Sequence, residues 1–160
     1  MTLKFDPFLL DRLTGCRQVE GHDGMRQQLT LSQVKDSVAR DLESLLNTRT
    51  GLQPHELRDR PHAARSVITF GLRDFVGLSL DNPEHREGIC QSIASAIQCH
   101  ERRLTSVRVR LIDTQQLGLG LRFAIHATLV INPAIEPVSF DAMLQPTTQR
   151  YAVRQASLRN

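Results

Sequence analysis

The sequence predicts an α+β fold in which helices pack on one face of a small, mainly antiparallel sheet. Apolar residues recur every three to four positions up to residue 100, and they alternate with polar residues after residue 104. A short charged junction separates the two patterns. Helices that precede the strands, instead of alternating with them, are typical of this fold class.

The first 28 residues are predicted to form an N-terminal arm and linker. An apolar cluster around Phe5 and Phe8 is followed, over residues 15–28, by a stretch that contains Gly, Asp and Gln. We expect a single domain over residues 29–155 and a short tail over residues 156–160. A chain of 160 residues is long enough for one hydrophobic core.

The first predicted helix begins at Leu31. Thr30 and Gln33 form a capping-box pattern, in which side chain and backbone satisfy each other's free groups. The polar, Gly-containing run at residues 47–51 ends the helix. One helical face is apolar, and it consists of Leu31, Val34, Val38, Leu42, Leu45 and Leu46.

Prolines and glycines interrupt residues 52–80, so no long element is expected there. Residues 66–70 fit either a helical turn or a short strand, and both remain open.

The second predicted helix has Asn82 as its cap and Pro83 at the first helical position, where a missing N–H is harmless. Its expected core face is Ile89, Ile93, Ala96, Ile97 and His100.

Two half-buried strands follow. Val107, Val109 and Leu111 alternate with arginines, and residues 121–131 alternate in the same way. The polar stretch at residues 113–120, which contains Gly118 and Gly120, is predicted to close an antiparallel hairpin. Shorter strands are expected around residues 138–140 and 151–153.

The composition favours a reduced, cytoplasmic protein. Cys16, Cys90 and Cys99 are an odd number of cysteines without metal-like spacing. No segment approaches the ~20 apolar residues of a membrane helix, so we expect no membrane-embedded part. Eighteen arginines stand against two lysines; arginine suits protein interfaces and phosphates, but a GC-rich genome explains the same bias.

No catalytic, metal or cofactor site is predicted. The six histidines lack the paired spacing of zinc ligands. His100 on an apolar helix face fits a core histidine with one satisfied nitrogen better than a catalyst. A glycosidase would need Glu101 paired with Asp113 or Asp141, but a chain with no Trp and a single Tyr has few rings to stack on a sugar.

A basic stripe for nucleic acid is a second alternative. Arg108, Arg110 and Arg122 lie on the polar side of the predicted sheet. Base-stacking rings should share that face, whereas Phe123 belongs to the apolar side. A solvated or partner-facing surface is therefore favoured over a nucleic-acid site.

The junction supplies the candidate functional residues, Glu101, Arg102 and Arg103, as a protein interface. A helix C-terminus carries roughly half a negative charge, so a carboxylate there needs a cation. Two alternatives remain open: Glu101 pairs with an arginine of its own chain, or it is offered to another chain.

Three segments, residues 31–49, 64–75 and 93–104, resemble the TssE baseplate subunits of type VI secretion systems, which belong to the lysozyme-like baseplate wedge proteins of contractile phage tails. The resemblance runs from about residue 8 to residue 153. The family signature at the junction is Glu-Pro-Arg after an aromatic residue. Glu101 and Arg103 match it, while Arg102 replaces the proline and His100 the aromatic residue.

The resemblance implies a structural, non-enzymatic role without cofactors. It implies a cytoplasmic protein at the baseplate near the inner membrane, docked on TssF and TssG, connected to TssK, and helping to start assembly of the TssB/TssC sheath. A small sheet with free edges can accept strands from such neighbours. A peptidoglycan-cleaving lysozyme-like enzyme is the alternative, and a nucleic-acid-binding module is the less favoured one.

Overall fold

The computed structural model describes residues 4–8, 28–52, 54–73, 82–112, 120–145 and 147–156. Over these ranges the chain is α+β, as predicted, with two α-helices, a two-stranded antiparallel sheet and a four-stranded antiparallel sheet. The helices are α1 (Leu31–Asn47) and α2 (Pro83–His100), and the strands are β1 (Lys4–Phe5), β2 (Leu29–Thr30), β3 (Leu104–Ile112), β4 (Leu121–Ile131), β5 (Ala134–Gln145) and β6 (Arg150–Gln155).

Helix α1 begins as its sequence predicts. The Thr30 backbone N–H donates to the Gln33 side chain at 2.8 Å, and the Gln33 backbone N–H donates to the Thr30 hydroxyl at 3.3 Å. This reciprocal pair satisfies two N–H groups that the first turn leaves free. Five of the six predicted core positions are buried, and Leu31 is half-buried.

Helix α2 also has the predicted start, with the Asn82 side chain accepting from the Glu84 N–H at 2.9 Å. Its buried face is Ile89, Cys90, Ile93 and Ile97, while Ala96 and His100 are only half-buried. The prediction missed Cys90, whose free thiol lies in the core.

Residues 54–73 connect the helices through short 3-10 turns at Pro54–Leu57, Ala63–Arg65 and Val67–Thr69. The turn at Val67–Thr69 settles the open choice for residues 66–70 in favour of a helical turn. The segment then returns to the end of α1, where the Leu72 N–H donates to the Thr48 carbonyl at 2.8 Å. Gly71 has φ +122° there, and a Cβ on it would lie 2.6 Å from the Thr48 oxygen, so this approach requires glycine.

The large sheet is a meander in the order β3-β4-β5-β6. The predicted β3–β4 hairpin is present, although its turn lies outside the described residues except for Gly120. Strand β4 buries alternate positions as expected, and these face the helices: Phe123, Ile125, Ala127, Leu129 and Ile131. Strand β3 departs from simple alternation because a bulge lies between Thr105 and Arg108, with Ser106 at φ 53°.

The two helices cover one face of this sheet. Helix α1 packs against β6 and helix α2 against β3. The opposite face, which we call the open face, exposes alternate residues of the same strands, such as Arg108, Arg110 and Arg154. Neither described helix is long and apolar enough to cross a membrane.

The expectation of free sheet edges is wrong over part of β6. Asn47 of α1 exchanges two hydrogen bonds with the Tyr151 backbone, both at 2.8 Å, and Glu43 accepts from the Val153 N–H at 2.8 Å. Polar side chains of a helix thus satisfy strand groups that would otherwise be free to pair with another chain. At the other edge, the bulge between Thr105 and Arg108 interrupts the regular spacing of backbone groups near the start of β3.

Candidate protein-interface site at the helix–strand junction

The junction of α2 and β3 is a tight turn over residues 101–103. The Glu101 N–H completes the last turn of α2 by donating to the Ile97 carbonyl at 2.8 Å. The Leu104 N–H then donates to the Glu101 carbonyl at 3.2 Å, and the Arg103 carbonyl accepts from Val130 of β4 at 2.8 Å. Backbone bonds on both sides therefore hold the three candidate residues in place.

Glu101 is buried, with 7% of its surface exposed, and it is paired within its own chain. Its Oε1 accepts from the Arg103 backbone N–H at 3.1 Å and from Arg103 Nε at 2.7 Å. Its Oε2 accepts from Arg103 Nη2. Of the two alternatives that the sequence left open, the intramolecular pair is the one that forms.

A second carboxylate, from α1, joins the pair. Arg103 Nη2 also donates to Asp41 Oδ2, although 62 positions separate the two residues. Burial by itself would lower the pKa of the Arg103 guanidinium, but the Glu101 and Asp41 carboxylates raise it above its usual value. The guanidinium therefore stays charged and links α1, α2 and β3.

Sequence reasoning missed Asp41. Its one local signal is its position beside the apolar stripe of α1, next to Leu42, where a charge is half-buried once the helix packs. Nothing in the spacing connects it to residue 103.

The N-terminal segment covers the cluster. The Phe8 ring lies with its centroid 4.5 Å from Arg103 Cζ, a cation–π contact. Beneath it, Arg103 Nη1 is buried and has no hydrogen-bond partner among the described residues. A donor that is desolvated without an acceptor costs stability, so this nitrogen is a potential contact for an incoming acceptor.

A groove with a volume of about 600 Å³ opens beside the junction, and its wall includes Phe8, Phe70 and His100. His100 Nε2 donates to the Thr69 carbonyl at 2.9 Å, since a carbonyl can only accept. Its ring meets Phe70 edge to face, with centroids 5.4 Å apart. One satisfied nitrogen is what the sequence predicts for His100, although the residue is half-buried instead of fully buried.

Arg102 differs from its two neighbours because it is exposed at the groove. Within the described part of the chain its guanidinium makes no ion pair or hydrogen bond. Just before Phe70 of the groove wall, Val67 and Ile68 expose 82% and 53% of their surface. The site therefore presents a free cation, a groove and exposed apolar side chains over a rigid buried ion pair.

Glu101 and Asp141 do not form the pair of carboxylates that a glycosidase would need. Asp141 bonds Arg122 at 2.6 Å on the open face, whereas Glu101 is held by Arg103 at the junction. Asp113 lies outside the described residues. Within those residues no group of three metal-ligating side chains occurs.

Comparison with known proteins assigns the chain to a family. A family model described as baseplate wedge protein gp25 matches residues 32–134, which cover α1 from its second residue, α2, the junction, β3 and β4. No curated protein matches the chain. Because the match spans more than half of the chain, the protein belongs to the gp25 family of baseplate wedge proteins, structural components of phage-tail-like baseplates that contact other baseplate proteins.

Proposed function

We propose that this protein is the TssE-like wedge component of a type VI secretion baseplate, and that it docks on TssF and TssG and helps to initiate the TssB/TssC sheath. Two observations support the specific system: membership of the gp25 family, and the resemblance of residues 31–49, 64–75 and 93–104 to TssE. In this proposal it acts in the cytoplasm, at the baseplate near the inner membrane, in contact with the TssK assembly.

The observation that carries the docking proposal is the exposed Arg102 on a buried, internally paired Glu101–Arg103 cluster. Glu101 and Arg103 are positioning residues in this proposal, since both side chains are at most 13% exposed. They hold the backbone of Arg102 in one geometry, so that binding has to order only the Arg102 side chain.

The groove favours a partner segment that combines an apolar side chain with a carboxylate. The apolar side chain would contact Phe70 and His100, and the carboxylate would pair with Arg102. A displaced Phe8 would allow an acceptor to reach Arg103 Nη1. A helix of the TssF–TssG wedge that carries these three groups would fit the groove.

A sheath strand can pair only with free backbone N–H and C=O groups at an edge of the sheet, and side chains of α1 occupy some of these groups on β6. These side chains bind the backbone of Tyr151 and Val153 but, within the described residues, not that of Gln155. An incoming strand would therefore pair at the Gln155 end of β6 or at the β3 edge unless α1 moves.

The docking proposal is tested by co-purification of the full chain with TssF and TssG. Arg102→Glu should abolish co-purification and leave the melting temperature within ~2 °C, because an exposed unpaired side chain contributes little to stability. Arg60→Glu, the same charge change at an exposed position that does not line the groove, is the control. Unchanged recovery of TssF and TssG with Arg102→Glu would contradict the docking proposal.

The enzyme alternative is tested separately. Both Glu101 oxygens are engaged by Arg103, which leaves neither in place to protonate a sugar oxygen. We expect purified protein and Glu101→Gln to release the same background amount of soluble peptidoglycan fragments. A release above background that Glu101→Gln abolishes would establish the enzyme.

A further inference from the structure

We propose that the open face of the four-stranded sheet docks an acidic amphipathic helix of a partner protein. This surface lies on the opposite side of the sheet from α1 and α2, and the wedge-docking proposal does not use it.

The strand register sets the shape of this face. One row across the sheet runs Arg110, Ala124, Asp141 and Arg154, so the edge strands carry the arginines and the middle strands carry shorter side chains. Three strand spacings place β3 and β6 about 14 Å apart. A helix with its side chains is about 10–12 Å wide, so it fits between the two arginine-bearing edges.

The face carries uncompensated positive charge. Arg108, Arg110 and Arg154 are exposed, and none of them has a carboxylate partner in the described part of the chain. Asp141 is the one carboxylate among the described open-face positions, and it already bonds Arg122 at 2.6 Å. Acidic residues along both flanks of a docked helix would therefore face cations from β3 on one side and β6 on the other.

The floor between the edge arginines is shallow and mixed, because the apolar side chains of Ala124, Met143 and Ala152 lie beside the Arg122–Asp141 ion pair. A depression of about 550 Å³ opens beside Met143 and Ala152, and Met143 is 40% exposed. Small residues such as Ala152 and Ala124 let a helix approach closely, and its apolar stripe would remove Met143 from water. Edge arginines on both sides of these apolar side chains match a helix whose acids flank an apolar stripe.

A protein helix fits this face better than a nucleic acid. The described Phe and Tyr rings of the sheet, Phe123, Phe140 and Tyr151, all point toward the helices and are at most 3% exposed. Among the described open-face positions the one ring is the exposed imidazole of His126, which bonds the Ser139 hydroxyl at 2.9 Å, whereas a single strand stacks successive bases on several rings.

The test is a fluorescence anisotropy titration of the full chain against defined probes. The main probe is a labelled helical peptide of about 20 residues, roughly 30 Å long, with leucines along one stripe and glutamates on both flanks. A twin peptide with lysine in place of glutamate, a single-stranded DNA and a single-stranded RNA are the comparison probes. Salt is held at ~150 mM so that distant charges are screened.

Arg110→Glu/Arg154→Glu should weaken binding of the acidic peptide about tenfold or more, while Arg58→Glu/Arg60→Glu, the same charge change elsewhere, should change it less than about threefold. If the Glu pair prevents folding, Arg110→Gln/Arg154→Gln replaces it, with an expected loss of about threefold to tenfold.

Four results would overturn the proposal: no saturable binding of the acidic peptide, equal binding of the lysine twin, equal weakening by the control pair, or tighter binding of an oligonucleotide that the face variant abolishes. The readout does not involve TssF or TssG, so its failure is distinct from failure of wedge docking.

Discussion

Removal of the Glu101 charge tests whether the junction is held by its buried ion pair. In Glu101→Gln the side chain keeps its shape, but Arg103 loses the carboxylate that binds both its Nε and its Nη2. An amide presents one acceptor oxygen and one NH2 group, so one of the two guanidinium donors would face another donor.

The magnitude follows from burial. Breaking a buried ion pair from one side costs ~3–5 kcal/mol, because the remaining charge is stranded away from water. Asp41 still bonds Arg103 and its side chain is 26% exposed, so part of the loss is compensated. We expect Glu101→Gln to lower the free energy of unfolding by about 2–3 kcal/mol, and Arg103→Met, which strands Glu101, by about 3–5 kcal/mol.

Urea unfolding followed by circular dichroism measures these differences, with thermal melting as the second readout. For a chain of 160 residues, about 2–3 kcal/mol corresponds to a fall of roughly 5–10 °C in melting temperature. Arg102→Gln is the matched control, since it removes the neighbouring but exposed charge and should change stability by less than ~0.5 kcal/mol.

The double variant Glu101→Gln/Arg103→Met should cost less than the sum of the single variants, with a coupling of about 1–3 kcal/mol. Stability of Glu101→Gln indistinguishable from that of Arg102→Gln, or strict additivity in the cycle, would refute the assignment of Glu101 and Arg103 as a structural pair.

Three further predictions concern the packing around the site. Gly71→Ala should destabilise the protein by at least ~2 kcal/mol in urea unfolding, because its Cβ would meet the Thr48 carbonyl at 2.6 Å and φ is +122°. Gly51→Ala is the control and should be nearly neutral, since the space around Gly51 is open. Equal effects of the two substitutions would contradict the close approach of residue 71 to Thr48. Asn47→Ala should cost about 1–3 kcal/mol by freeing the N–H and C=O of Tyr151, and more rapid amide exchange at that N–H is the accompanying observation. Burial raises the pKa of the Tyr151 phenol above its usual value of about 10. The neutral phenol therefore stabilises the fold fully below the pKa of the unfolded state, and this contribution is lost as pH rises through the pKa of the folded state. Wild type should lose stability above pH ~10 faster than Tyr151→Phe, by up to about 1.4 kcal/mol per pH unit, and parallel pH curves would disprove this.

Much of the fold is readable from local sequence. The capping box at Thr30 and Gln33, the cap at Asn82 and the alternation in β4 all lie within a few residues, and each appears in the structure where it was predicted. The bulge in β3 was not predicted, because alternation by itself does not reveal where an extra residue enters a strand.

The candidate site, like the fold, was predictable from the sequence only in part. Glu101, Arg102 and Arg103 were singled out from the charge at a helix end, and the structure shows which of them is exposed. Whether Glu101 is paired internally depends on side-chain conformation and burial, and these follow from packing of the whole domain.

Periodicity and caps were sufficient to place α1, α2, β3 and β4 and to single out the junction, because those signals come from neighbours along the chain. Strand β5 extends over Ala134–Gln145, well beyond the short strand expected around residues 138–140. The Asp41 contact of Arg103 and the closure of the β6 edge by Glu43 and Asn47 join residues that are 62 or more positions apart. Such pairs form only when α1 packs against the sheet. How deeply each charged side chain is buried, and which opposite charge lies next to it, therefore depends on the packing of the whole domain and not on any single segment of the sequence.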